Sequence, residues 1–178
     1  TDKHTCELDK PLILICSSEI PNIRKIQSIL EYVIKNNRSL LIVAPVAQSV
    51  RAALMMNKVK GNIKVNIVDL PGFGPTKKDA TEDLAILTGA TVMNEELGDD
   101  LDLMKPDFLG EAELSVTDDK TTVLTLEGMT DEIENRIDEL NNKLAKEKDG
   151  FIKRKLEQRL AMLSGVVGII KVGAASKV

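Results

Sequence analysis

From Pro11 to about Thr91, short aliphatic runs alternate with amphipathic stretches of helical length, the pattern of an α/β layer structure. LILIC (Leu12 to Cys16) predicts a buried strand, followed by a helix from Asn22 to about Asn36 and a strand LLIVA (Leu40 to Ala44). A second helix is predicted from about Gln48 to Val59, closed by Gly61, before the strand IKVNIVDL (Ile63 to Leu70). PGFGP then predicts a turn, a third helix runs from about Thr76 to Leu87 and stops at Gly89, and TVMN predicts a short strand.

Beyond Thr91 the period changes. Glu95 to Gly110 predicts a loop with short helical turns, and Glu113 to Gly128 alternates as a β-hairpin around Asp118, Asp119 and Lys120. Met129, Ile133, Ile137, Leu140 and Leu144 recur at helical steps, as do Ile152, Leu156, Leu160 and Leu163 beyond Asp149-Gly150. This predicts an antiparallel helical hairpin with charged outer faces. A last apolar strand is expected from Gly165 to Gly173.

Two helices carry more apolar surface than one sheet contact needs. At 100° per residue, Ile23, Ile26, Ile29, Leu30, Val33 and Ile34 cover an arc of about 140°, against the roughly 100° that faces a core. Leu30 and Ile34 form the edge beside Gln27 and Glu31, and that edge is expected to be exposed. In the second helix Val50 and Leu54 form one arc, while Ala52, Met55, Met56 and Val59 form another. If the first arc faces the core, the second points elsewhere, and flexible methionines suit a surface that accepts varied apolar partners.

Composition narrows the function classes. The 178 residues are 43% hydrophobic and only 2% aromatic, with no Trp, so the core is aliphatic and base-stacking platforms are absent. A formal charge of -4 leaves no basic footprint for nucleic acid or an anionic membrane. The longest apolar run, Pro11 to Cys16, is far shorter than the ~20 residues of a membrane helix, so the chain is expected to be soluble. Two cysteines make no disulfide framework and suit a reducing compartment. The chain opens at Thr1 without methionine and reads as a piece of a longer polypeptide.

Little in the sequence resembles catalysis. Asp69 followed by PGFG has the look of a GTPase strand end, but a phosphate-cradling glycine loop must precede it, and Gly61 is the sole glycine before that aspartate. The spacing of His4, Cys6 and Cys16 fits no zinc pattern, and Glu95-Glu96 and Asp99-Asp100 read as a solvated acidic loop. No catalytic residue and no metal ligand is assigned.

Several strings, in order, resemble the apical domain of a group I chaperonin, the GroEL-like family: NIR (22–24), LLIVA (40–44), IKV (63–65), PGFG (71–74), DLAILTGAT (83–91), EELG (95–98), KTTVL (120–124), KLEQRLAMLSG (155–165) and IKVGAA (170–175). The resemblance runs from Pro11 to the end of the chain. It implies a swivelling β/β/α apical fold, an α/β sheet core flanked by helices with a C-terminal helical hairpin at 129–164. Residues 1–10 would be a flexible lead-in, 11–165 the apical domain, and 166–178 a strand leading into an intermediate domain.

The function so implied is that of a molecular chaperone. Unfolded polypeptides and a co-chaperonin mobile loop would bind between the first two helices, at Gln27, Leu30, Glu31, Ile34, Arg51, Met55, Met56, Asn57 and Lys60. Glu31 and Asn57 would hydrogen-bond an extended peptide. ATP and magnesium would be bound, and ATP hydrolysed, elsewhere in the full-length protein, with neighbouring subunits completing a heptameric ring. This piece would be a non-enzymatic monomer without cofactor, nucleic-acid or membrane partners. Gln27 and Arg51 stand where the family usually carries aliphatic residues, Val166 replaces a hinge-like glycine, and Lys177 replaces an acidic residue that pairs with a neighbouring subunit. Such departures suggest a diverged organellar copy, in the mitochondrial matrix or a plastid, with a bacterial cytoplasm as the alternative. The rival readings are a small nucleotide hydrolase built on Asp69 and the PGFG turn, and a scaffold module acting through the helical hairpin.

Overall fold

A computed structural model describes residues 5–171; His4, Lys177 and the end of the last predicted strand lie outside that range. Two sheets form the frame. The first is a parallel run in the order β4 (Lys64–Val68), β3 (Ser39–Val43), β2 (Leu12–Cys16) and β5 (Val92–Met93). The short β6 (Gly110–Glu111) pairs antiparallel with the start of β2. β2 and β3 are buried along their whole length, which is why both read as unbroken aliphatic runs.

The second sheet is antiparallel, in the order β1 (Cys6–Asp9), β7 (Leu114–Thr117), β8 (Thr121–Thr125) and β9 (Val167–Lys171). Here the expected flexible lead-in is corrected. Cys6–Asp9 pair with Leu114–Thr117 and place Leu8 in the core. Charged residues at alternate positions hide this strand from a hydrophobicity reading; only the partner edge of β7 reveals it.

Alternate residues of the parallel strands sort into two cores. Leu12, Leu14, Leu40, Ile42, Val65 and Ile67 face α1 (Gln27–Lys35) and α2 (Gln48–Val59). Ile13, Ile15, Leu41 and Val43 belong to the other core, with α3 (Gly74–Thr88), the antiparallel sheet, and the hairpin of α4 (Asp131–Lys146) and α5 (Gly150–Gly165). The period of two along each strand thus separates α1 and α2 from the hairpin by the thickness of the sheet.

Local chemistry sets the helix ends. Gly89 closes α3 at φ 80, Thr130 caps α4 by accepting from the Ile133 amide at 3.2 Å, and acids open α4 while Lys143 and Lys146 end it. The first predicted helix begins as a 3-10 turn, Ile23–Ile26, whose Asn22 side chain accepts from the Lys25 amide. Three more such turns occupy the loop after β5, as the Pro- and Gly-bearing sequence predicts. Among the described residues no helix is long and apolar enough to cross a membrane.

Candidate functional site

α1 connects β2 to β3, and α2 connects β3 to β4, so the two helices lie on one face over neighbouring strand pairs. Their inner residues, Ile29, Leu30 and Val33 with Val50 and Leu54, are buried. Among their outward residues, beside polar ones, three are apolar: Ile34 is 52% exposed, Met56 58% and Val59 87%. Ile34 stands on α1, and Met56 and Val59 on α2.

One expectation about this face is corrected. Leu30 is buried among the core residues of α1, not on an exposed edge. Ile26, Ile29, Val33 and Leu30 fill an arc of about 100°, the width one sheet contact takes; of the two residues beyond it, Ile23 packs half-buried against the core and Ile34 is exposed. In α2 the division goes further. Met55 is half-buried against the core, Met56 is free of it, and Arg51 is half-buried.

Polar groups rim the face. Gln27 Nε2 donates to Glu31 Oε2 at 3.4 Å, and both side chains are exposed. Asn57 Nδ2 donates to the Ala53 carbonyl at 2.8 Å, and its Oδ1 accepts from Asn62 at 2.9 Å, so this amide is held at the end of its own helix. Lys60 is exposed at the C-cap. Val59 belongs to this surface although no motif marks it; its signal is its place on the second apolar arc of the helical wheel.

The other chemistry-bearing residues do not converge. Asp69 is tied to Lys77 at 3.4 Å, while Phe73 in the following turn is 88% exposed. Cys6 accepts from Lys58 Nζ at 3.2 Å on the β1 side of α2. Cys16 is buried and donates to the Ser18 carbonyl at 3.0 Å; burial pushes its thiol pKa up. Glu95 pairs with Lys25, and Asp100 caps a 3-10 turn. No group of three or more metal-ligating side chains gathers among the described residues.

No protein-family model matches the chain. Among solved structures, it is similar to the crystal structure of the chaperonin gp146 from the bacteriophage EL 2 (Pseudomonas aeruginosa), with a TM-score of 0.59 over 93% of this chain. The fold is that of a chaperonin segment. Sequence identity with gp146 is 13%, and the match spans 34% of its length. The open-state monomer of a group II chaperonin from Methanococcoides burtonii is also matched, at 12% identity and a TM-score of 0.39, over 90% of this chain and 46% of that one. The chain thus spans about a third of the first chaperonin and under half of the second.

Proposed function

We propose that this chain is the polypeptide-binding apical domain of a group I chaperonin, and that α1 and α2 capture apolar segments of unfolded proteins. The observation that carries this reading is the exposure of aliphatic side chains, Ile34 on α1 and Met56 and Val59 on α2, on two helices that share one face of a chaperonin fold. Such side chains reward any apolar partner without demanding a fixed shape. Glu31, at the edge, offers a carboxylate to the amides of an extended segment. The mobile loop of a co-chaperonin would compete for the same face.

Magnitudes support a division of labour. Two or three buried anchors contribute about 1.5–3 kcal/mol each before ordering costs, whereas micromolar binding needs about 8 kcal/mol. One copy therefore binds weakly, and a ring of seven gains through multivalency. ATP binding and hydrolysis belong, in this reading, to the remainder of the full-length polypeptide. The compartment it favours is the mitochondrial matrix or a plastid.

Fluorescence anisotropy with a labelled apolar peptide tests the assignment. Ile34→Glu and Met56→Glu should each weaken binding about 10-fold or more, because a carboxylate would have to be desolvated against the peptide. Unchanged affinity in both variants would sink the assignment. Leu30 is unsuitable for this test, since a glutamate there would be buried in the core and unfold the domain.

A further inference from the structure

The turn between α4 and α5 concentrates positive charge in an acidic chain. Residues 143–155 hold six cations, Lys143, Lys146, Lys148, Lys153, Arg154 and Lys155, against two acids, Glu147 and Asp149. All six are exposed, and among the described residues none forms an ion pair. The two acids are bound to backbone. Glu147 Oε2 accepts from the amides of Lys148 and Asp149 at 3.2 and 3.1 Å, and Asp149 Oδ1 caps α5 by accepting from Phe151 and Ile152 at 2.8 and 3.1 Å.

Beside these charges lies an apolar cleft of about 670 Å³, between the hairpin tip and the start of α3. Ala80, Leu156 and Met162 line it together with Pro75, Phe151 and Ile152. Phe151 is 61% exposed and Ile152 44%, so the hairpin leaves apolar surface in water beside its cations. Lys155 Nζ stands 5.4 Å from the Phe151 ring centre. The acids on the α3 side are already matched: Arg159 pairs with Asp83 at 2.7 Å and with Asp79 at 3.5 Å. What remains open toward solvent is an apolar slot rimmed by Lys143, Lys146 and Lys155, none of which forms an ion pair among the described residues.

We propose that this cleft docks acidic polypeptide segments that carry an apolar anchor. Charge complementarity selects the segment and speeds encounter, and the anchor fills the slot. A concave slot favours a peptide over a bilayer, whose flat surface would leave the cleft unfilled. The site lies on the opposite side of the parallel sheet from α1 and α2, so it is independent of the face assigned to apolar capture.

The test is fluorescence anisotropy of the whole chain with a labelled peptide of aspartate and glutamate around one phenylalanine, beside a lysine counterpart. Binding to the acidic peptide alone is expected, weakened about 10-fold or more between low salt and 0.3 M salt. Lys143→Glu combined with Lys155→Glu should weaken it at least about 10-fold, and Phe151→Ala about 5-fold, with unchanged circular dichroism. Met56→Glu should leave this affinity unchanged. Equal binding of the lysine peptide, indifference to the double charge reversal, or loss on Met56→Glu would each overturn the proposal. So would preferential binding to anionic phospholipid vesicles. Self-association of the chain abolished by the same reversal would do likewise, by assigning the cleft to a second copy.

Discussion

Arg159 on α5 donates from Nε to Oδ2 of Asp83 on α3 at 2.7 Å, with the aspartate side chain 2% exposed. Arg136 on α4 completes the cluster, its Nε donating to the other oxygen at 2.9 Å. One carboxylate therefore ties both helices of the hairpin to α3, beside the apolar core they share. Asp83→Ala leaves two guanidinium groups partly buried without their shared acid, and should cost about 3–5 kcal/mol. Glu111→Ala, which removes a surface pair with Arg38, should cost under about 1 kcal/mol. Urea denaturation of the two variants checks the contrast.

Gly110 has no room for a side chain. A Cβ there would stand 2.6 Å from the Thr88 carbonyl oxygen and 2.7 Å from the Ala90 nitrogen, both backbone atoms that cannot swing aside. Gly110→Ala should therefore lower stability by about 2 kcal/mol or more. Gly128, with nothing within 4 Å of such a Cβ, should accept alanine with no loss, or with a gain of about 0.4–1 kcal/mol from a stiffer unfolded chain. Thermal melts of both variants read the difference.

Val166 closes α5 at φ 52 and ψ 47, a left-handed conformation that a β-branched side chain resists. Glycine there relieves about 1–2 kcal/mol of strain and forfeits a comparable amount of half-buried contact and chain entropy. Val166→Gly should thus change stability by less than about 1 kcal/mol. Val167→Gly, in the strand that follows, relieves no strain and should cost about 2 kcal/mol. Denaturant midpoints for the pair distinguish strain from ordinary packing.

The two thiols should react in a set order. Cys16 is 2% exposed, donates to the Ser18 carbonyl, and has its pKa raised by burial, so at pH 8 it stays protonated and shielded. Cys6 is half-buried on an edge strand. Alkylation at pH 8 followed by mass spectrometry should show Cys6 modified first, and Cys16 only as the fold opens. Because folding favours the neutral form of Cys16, its contribution to stability is present below the ordinary thiol pKa and declines as pH rises above it.

Much of this chain is legible before any coordinates. The unbroken aliphatic runs of β2 and β3, the helical steps of α4 and α5, and the α3 stop at Gly89 follow from local periodicity and capping, which act over a few residues. Even the surplus apolar arcs of α1 and α2 can be counted from the order of residues alone. Which member of an arc is left in water cannot be. Leu30 and Ile34 are both aliphatic and one helical turn apart, yet the sheet beneath α1 covers the first and not the second. Cys6–Asp9 becomes a strand because β7 offers an unpaired edge, and Asp83 becomes a tie because two arginines from distant helices converge on it. The hairpin cations belong to composition, but that none of them forms an ion pair among the described residues belongs to the fold. Periodicity is a property of neighbours along the chain, whereas exposure and charge pairing depend on what the rest of the molecule brings to the same place.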